Sequence, residues 1–307
     1  MSVSPVILVT GGYDHKIRFW DATSGVCSRT INFGDSQINC LQISTDKTLL
    51  AAGGNPTLQL YDINSIDERP LLTYDGHSNN ITGLGFQHDQ RWMYTCSEDG
   101  SVRIWDPRTN NTTRKYECGC AVNSVSLHPN ESMLISGDQN GFVRIWDLKA
   151  DKCREEYAPG LDVPIRSTSI AMDGSFVSVG SHRGKMYIYN MNDKYELELS
   201  RDFQAHEDYL LKCLISNDLK FIATASADKT IKLWNTSSWE ADLVLAKHQR
   251  WVWDIVFSAD SCYLLSASSD QSAKLWDLRT GEVVRNYMAQ NNTLALTCVA
   301  LNDITLQ

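Results

Sequence analysis

Three histidines, His77, His206 and His248, are each followed by a serine, an aspartate and a tryptophan at repeated offsets: Ser97, Asp99 and Trp105; Ser226, Asp228 and Trp234; Ser268, Asp270 and Trp276. Imidazole, hydroxyl and carboxylate are the parts of a nucleophilic hydrolase. Such an enzyme needs one exposed constellation with oxyanion donors beside it. Here the set occurs three times in one phase, and the tryptophan belongs to it each time. Residues repeated in that way belong to the framework rather than to a reaction centre. Arg18, Arg103, Arg144, Lys232 and Lys274 each stand two places before an aromatic residue, so they too repeat with the framework and do not form a nucleic-acid stripe. Cys118-Gly119-Cys120 has no second Cys/His pair at zinc spacing, so no metal is expected. Gly11-Gly12 and Gly53-Gly54 are expected in strand-to-strand turns, because no Lys-Ser/Thr phosphate-loop ending follows them. No cofactor is expected.

The composition narrows the partners. The 307 residues carry 28 Lys+Arg against 37 Asp+Glu, a formal net charge of −9. An acidic chain does not suit nucleic acid as its main ligand, since that binding rests on neutralising phosphates. No apolar run reaches the length of a membrane span. The segment Met1-Ser2-Val3-Ser4-Pro5 lacks the basic start and apolar stretch of a secretory signal. The odd count of nine cysteines is then expected as reduced thiols in a cytoplasmic protein.

The elements that position these residues follow from a repeat. Seven segments of the type Lys16-Ile17-Arg18-Phe19-Trp20-Asp21 end on the aromatics Trp20, Tyr61, Trp105, Trp146, Tyr189, Trp234 and Trp276, spaced 41, 44, 41, 43, 45 and 42 residues apart. A period in the low forties ending in Trp-Asp marks the blades of a WD40 propeller, and seven periods fill residues 1–307 as one all-β domain. Alternation predicts four strands per unit: in the last, 251–257, 263–267, 273–276 and 283–287. Both faces of such a sheet are apolar, so the blades must stack in a ring. The first strand, Val6 to Thr10, has no inner strand before it, while Leu296 to Leu301 aligns with inner strands. The two ends are expected to share one blade and so close the ring. The resemblance to WD40 proteins implies that each His–Ser–Asp–Trp set is a buried hydrogen-bond relay. Asp14 stands in the matching turn of the first unit, whereas Asn55, Asn140 and Arg183 replace the aspartate elsewhere; those blades are expected to be softer and to rest more on apolar packing.

One mouth of the channel should be lined by the residue opening each inner strand, the residue two later, and one residue of each second turn. The first two sets are Gln37 and Asn39, Asn80 and Thr82, Ala121 and Asn123, Pro164 and Arg166, Tyr209 and Leu211, Trp251 and Trp253, and Ala295 and Thr297. The turns add Tyr13, Gly54, Glu98, Gln139, His182, Ala227 and Ser269. Trp251, Trp253, Tyr209 and Tyr13 concentrate the residue types that dominate protein interfaces. One carboxylate among these residues does not make a propeller enzyme; the alternative is an adaptor for another peptide or protein client, such as a degron or histone tail, although the mouth offers Glu98 and Arg166 rather than a dominant acidic or arginine-lined pocket.

A narrower resemblance covers essentially the whole chain. Gly12-Tyr13-Asp14-His15, Asp35-Ser36-Gln37-Ile38-Asn39, Arg91-Trp92-Met93-Tyr94-Thr95, Leu127-His128-Pro129-Asn130, Gly137-Asp138-Gln139-Asn140 and Arg250-Trp251-Val252-Trp253 are similar to segments of the small WD40 subunits of target-of-rapamycin (TOR) kinase complexes, the G-protein-β-subunit-like family. The resemblance implies a non-catalytic scaffold that docks on an insertion in the kinase C-lobe beside the active site and supports assembly and activity in both TOR complexes. It assigns Gln37, Asn39, Trp251 and Trp253 to the kinase-facing rim; Tyr13 and Tyr209 come from the surface argument alone. The expected partners are the TOR kinase and the other subunits of its complexes, with the propeller itself monomeric and not inserted in a membrane. It would reach vacuolar, endosomal or plasma membranes only peripherally, through its complexes.

Overall fold

Residues 6–160, 162–288 and 294–302 are described by a computed structural model. Within them 28 strands form seven antiparallel four-stranded sheets, the blades of a β-propeller. Blade one combines Leu296–Asn302 with Ile7–Gly12, Lys16–Asp21 and Cys27–Asn32. Ile7 lies opposite Asn302 and Thr10 opposite Val299, so the two ends of the described chain share one sheet. The innermost strands of blades two to seven are Cys40–Ile43, Ile81–Phe86, Val122–Leu127, Ile165–Ile170, Leu210–Ile215 and Val252–Phe257, each followed outward by three more. Successive innermost strands touch in an unbroken circuit that returns from blade seven to blade one.

Packing between blades depends on small residues. Gly11, Gly53, Gly137 and Gly180 occupy one equivalent place in their second strands. A Cβ there would come within 2.7, 2.9, 2.4 and 2.3 Å of Ile38, Ile81, Ile165 and Leu210 in the next blade. Cys96, Ala225 and Ala267, all fully buried, fill the same place in blades three, six and seven. The expectation of turns at the glycine pairs is thereby corrected: Gly11, Gly12 and Gly53 lie in strands, and only Gly54 follows one. These glycines are needed for close approach of the neighbouring blade rather than for a change of chain direction.

The relays form with one correction. In blade three Trp105 Nε1 donates to Thr95 Oγ1 (2.8 Å), Thr95 Oγ1 is 2.7 Å from His77 Nε2, and His77 Nδ1 is 2.7 Å from Asp99 Oδ2. The same chain runs through Trp234, Thr224, His206 and Asp228 (2.9, 2.7 and 2.8 Å). It runs again through Trp276, Ser266, His248 and Asp270 (2.9, 2.7 and 2.8 Å). The hydroxyls therefore come from Thr95, Thr224 and Ser266, not from Ser97, Ser226 and Ser268. Register explains the difference: Trp105 lies opposite Met93, which makes Thr95 its diagonal neighbour and leaves Ser97 a further residue pair away. The three serines instead accept the amide N–H of Asp99, Asp228 and Asp270, each at 3.1 Å, and so tighten the turn that presents the carboxylate.

The remaining blades are not uniformly apolar. In blade four Asp138, fully buried, accepts from the amides of Asn140 and Phe142 at 2.9 Å and pairs with Arg144. That buried ion pair holds the turn of blade four, where Asn140 stands in place of the aspartate, in addition to the apolar packing expected there. In blade one Asp14 pairs with Arg18 at 2.5 Å and Trp20 Nε1 donates to Thr10 Oγ1 at 2.9 Å. The repeated cations serve their own turns: Arg103 lies 3.9 Å from Asp99, and Lys232 donates to the Ala205 carbonyl at 2.8 Å.

Candidate protein-interaction site

The mouth is built by two backbone devices. The carbonyl of the residue opening an inner strand accepts the amide of the turn residue beside it: Tyr13 to Ala295 (3.0 Å), Glu98 to Asn80 (2.9 Å), Gln139 to Ala121 (2.9 Å), His182 to Pro164 (2.8 Å), Ala227 to Tyr209 (2.9 Å) and Ser269 to Trp251 (2.9 Å). The register then shifts by one residue, at Thr82, Asn123, Arg166, Leu211, Trp253 and Thr297. A bulge re-aims the side chain of its extra residue, which accounts for the ring of side chains at this mouth.

The ring divides into two arcs. In blades one to four the residue at this position, a bulge in all but blade two, bonds to the next blade. Thr297 donates to the Ile38 carbonyl, Asn39 Nδ2 to Asn80 Oδ1 (3.3 Å), Thr82 to the Val122 carbonyl (2.6 Å) and Asn123 Nδ2 to the Ile165 carbonyl (2.8 Å). Gln37 Nε2 donates to Asn39 Oδ1 at 3.0 Å, and Asn80 Nδ2 to Glu98 at 2.8 Å. Gln37 and Asn39 are thus half-buried members of an amide network that joins blades two and three. From blade five to blade seven the bulge residues are Arg166, Leu211 and Trp253, and the surface becomes aromatic.

That second arc is a continuous ladder. His182 stacks on Tyr209 with centroids 4.0 Å apart and planes at 15°. Tyr209 meets Trp251 edge-on at 6.1 Å, and Trp251 leans on Trp253 at 5.4 Å. Trp253 is half-buried, with Nε1 donating to Ser269 Oγ at 2.6 Å. Trp251 and Tyr209 are exposed, at 39% and 41%. Tyr13 is exposed too, at 37%, and makes no ring contact with the ladder among the described residues. The structure therefore brings Tyr209, Trp251 and Trp253 together, and keeps Gln37 and Asn39 in the neighbouring arc. His182 belongs to the ladder although residue type and spacing place it only at the mouth. Burial, and after it the charge of Arg166, hold its imidazole below the usual histidine value, so the stacked ring is neutral near pH 7.

The WD domain, G-beta repeat pattern matches residues 2–21, 25–62, 68–106, 111–147, 197–235 and 240–277. Across 303 residues the chain is 47% identical to target of rapamycin complex subunit wat1 of Schizosaccharomyces pombe, covering 97% of this chain and 96% of that one. This chain belongs to the LST8 family of WD40 proteins. Two further members illustrate its breadth. Identity is 46% over 303 residues to target of rapamycin complex subunit LST8 of Saccharomyces cerevisiae (97% of this chain, 99% of that one). It is 41% over 317 residues to LST8 of Bos taurus (98% and 96%). No repeat is matched between residues 147 and 197, which contain the first three strands of blade five. There Tyr189-Asn190 replaces Trp-Asp and Arg183 stands in the turn, yet the sheet is complete.

Proposed function

We propose that this LST8-family chain is a non-catalytic subunit of TOR complexes that docks through its aromatic mouth on the insertion in the kinase C-lobe, near the active site. Docked there, it supports kinase assembly and activity in both TOR complexes. The observation that carries the reading is the ladder of Tyr209, Trp251 and Trp253, partly exposed and contiguous at the mouth. Tryptophan and tyrosine supply large contact areas with few rotatable bonds, and each keeps a polar group for orientation. The Trp253–Ser269 hydrogen bond holds one indole in place before binding, which lowers the entropy lost on association. Near full-length similarity to proteins named as subunits of that complex supports the same partner.

The His–Asp pairs do not suggest hydrolysis. Each lies in a blade, with donors and acceptors joined in series and the imidazole buried. The purified chain is expected to have no hydrolase or transferase activity of its own, and to act as a monomeric cytoplasmic subunit that meets membranes only through its complexes. The test is reconstitution of TOR kinase with and without the chain. Kinase yield or activity should rise with the wild type, and not with a folded Trp251→Asp, Trp253→Asp variant.

A further inference from the structure

Arg166 occupies the bulge of blade five and stands half-buried at the mouth. Among the described residues its guanidinium makes no hydrogen bond and no ion pair. Other cations set into the ring are matched: Arg18 with Asp14 at 2.5 Å, Lys212 with Asp254 at 3.1 Å, Arg144 with Asp138. The acid whose field reaches Arg166 is Glu98, and that carboxylate accepts from Asn80 instead. On the other side lies the ladder, beginning with His182, whose Nδ1 is buried without a partner.

We infer that Arg166 anchors a carboxylate side chain, an Asp or Glu, carried by the protein segment that covers the aromatic ladder. The inference rests on the docking reading above. A partner lying over Tyr209 and Trp251 also shields the neighbouring blade five from water. An unpaired guanidinium that loses its remaining water is strongly penalised unless an anion replaces that water. Guanidinium presents a planar fork of donors that suits a carboxylate in two-point contact. A phosphate dianion fits less well. The His182 imidazole, held below the usual histidine value by burial and by Arg166, adds little positive charge, and the field of Glu98 at Arg166 disfavours a second negative charge. The partner surface is therefore apolar where it meets the tryptophans and acidic where it meets blade five.

The experiment titrates the full-length chain against purified cognate TOR kinase at low and high salt. Arg166→Gln should weaken binding by about tenfold or more, as for loss of a charge-assisted hydrogen bond, and should flatten the salt dependence; Arg166→Lys should keep part of the affinity. The free Arg166→Gln chain should melt at the wild-type temperature or above it, because an unpaired half-buried charge is gone. If Trp251→Asp weakens binding while Arg166→Gln stays within about twofold of wild type, docking stands and the anchor is wrong. If neither substitution weakens binding, the docking reading fails and the anchor with it. If phosphatase treatment of the kinase abolishes the dependence on Arg166, the ligand is a phosphate and the carboxylate assignment is overturned.

Discussion

An indole N–H can only donate and an ionised carboxylate can only accept, so with the imidazole as its Nδ1–H tautomer each relay runs from Trp to hydroxyl, from hydroxyl to His Nε2, and from His Nδ1–H to carboxylate. Thr224→Val should leave both the Trp234 indole and His206 Nε2 unpartnered inside blade six, a loss of about 1–3 kcal/mol. Ser226→Ala removes one turn hydrogen bond, worth about 1 kcal/mol or less. Urea midpoints measure the difference, and equal losses would restore the relay to Ser226. Asp270→Ala likewise strips His248 of its carboxylate and should cost about 1–3 kcal/mol. Arg183→Ala, at the exposed matching turn of blade five, should stay within about 0.5 kcal/mol. The carboxyls also set the acid limit. Burial opposes ionisation of Asp99, but hydrogen bonds from Ser101 and His77 outweigh it and hold the group at about 2; Asp228 and Asp270 are depressed likewise. A depressed carboxyl stabilises the fold above its unfolded pKa near 4 and loses that contribution as pH falls through its folded value. Stability should therefore drop steeply between about pH 4 and pH 2; a urea midpoint that stays flat over that window would contradict the relays. Repetition in the chain picks out the histidine, aspartate and tryptophan, but Thr95 and Ser97 lie on the same face of one strand. Only the pairing register separates them.

Strands were legible because buried positions alternate and turn residues interrupt them. The spans expected in the last unit differ from Val252–Phe257, Tyr263–Ser268, Ser272–Asp277 and Glu282–Met288 by a residue at one or both ends. What alternation does not carry is contact between blades, and there the glycines were misread. Gly137→Ala would bring a methyl group to 2.4 Å from Ile165 Cγ2, so strand Met133–Asp138 or the next blade must shift. Overpacking of that kind should cost about 1–3 kcal/mol; a melting temperature equal to wild type would show that the junction yields freely. The paired edge in blade one makes a second expectation. Deleting the segment that contains Leu296–Asn302 leaves Ile7–Gly12 without its inner partner and exposes an unpaired strand edge. The truncated chain should aggregate or unfold without cooperativity, and a soluble truncation with unchanged melting would refute the role given to that strand. The bulges have no signature in residue type; their trace in the sequence is the recurring interval between the opening residue and the one two later.

At the scale of the ring, the mouth pairs an arc already committed to hydrogen bonds with an arc that is not. The side chains of Thr297, Asn39, Thr82 and Asn123 are spent on joining blades one to five, whereas Tyr209, Trp251 and the cation of Arg166 present groups that a partner can still engage. Residue type alone marked the tryptophans and Tyr209, and strand periodicity placed them on one mouth. It did not reveal that Gln37 and Asn39 bond to each other, or that His182 stacks on Tyr209, because both depend on side-chain directions set by neighbouring blades. Association energy should therefore concentrate on the ladder and fall off along the amide arc. The most direct measurement is the affinity of purified TOR kinase for the full chain with Trp251→Asp and Trp253→Asp, after circular dichroism and melting show the ring intact. Removing two aromatic contacts and placing charge in the interface should weaken binding by at least about 2 kcal/mol, roughly thirtyfold. Wild-type affinity in that folded variant would show that the aromatic mouth is not where the kinase binds.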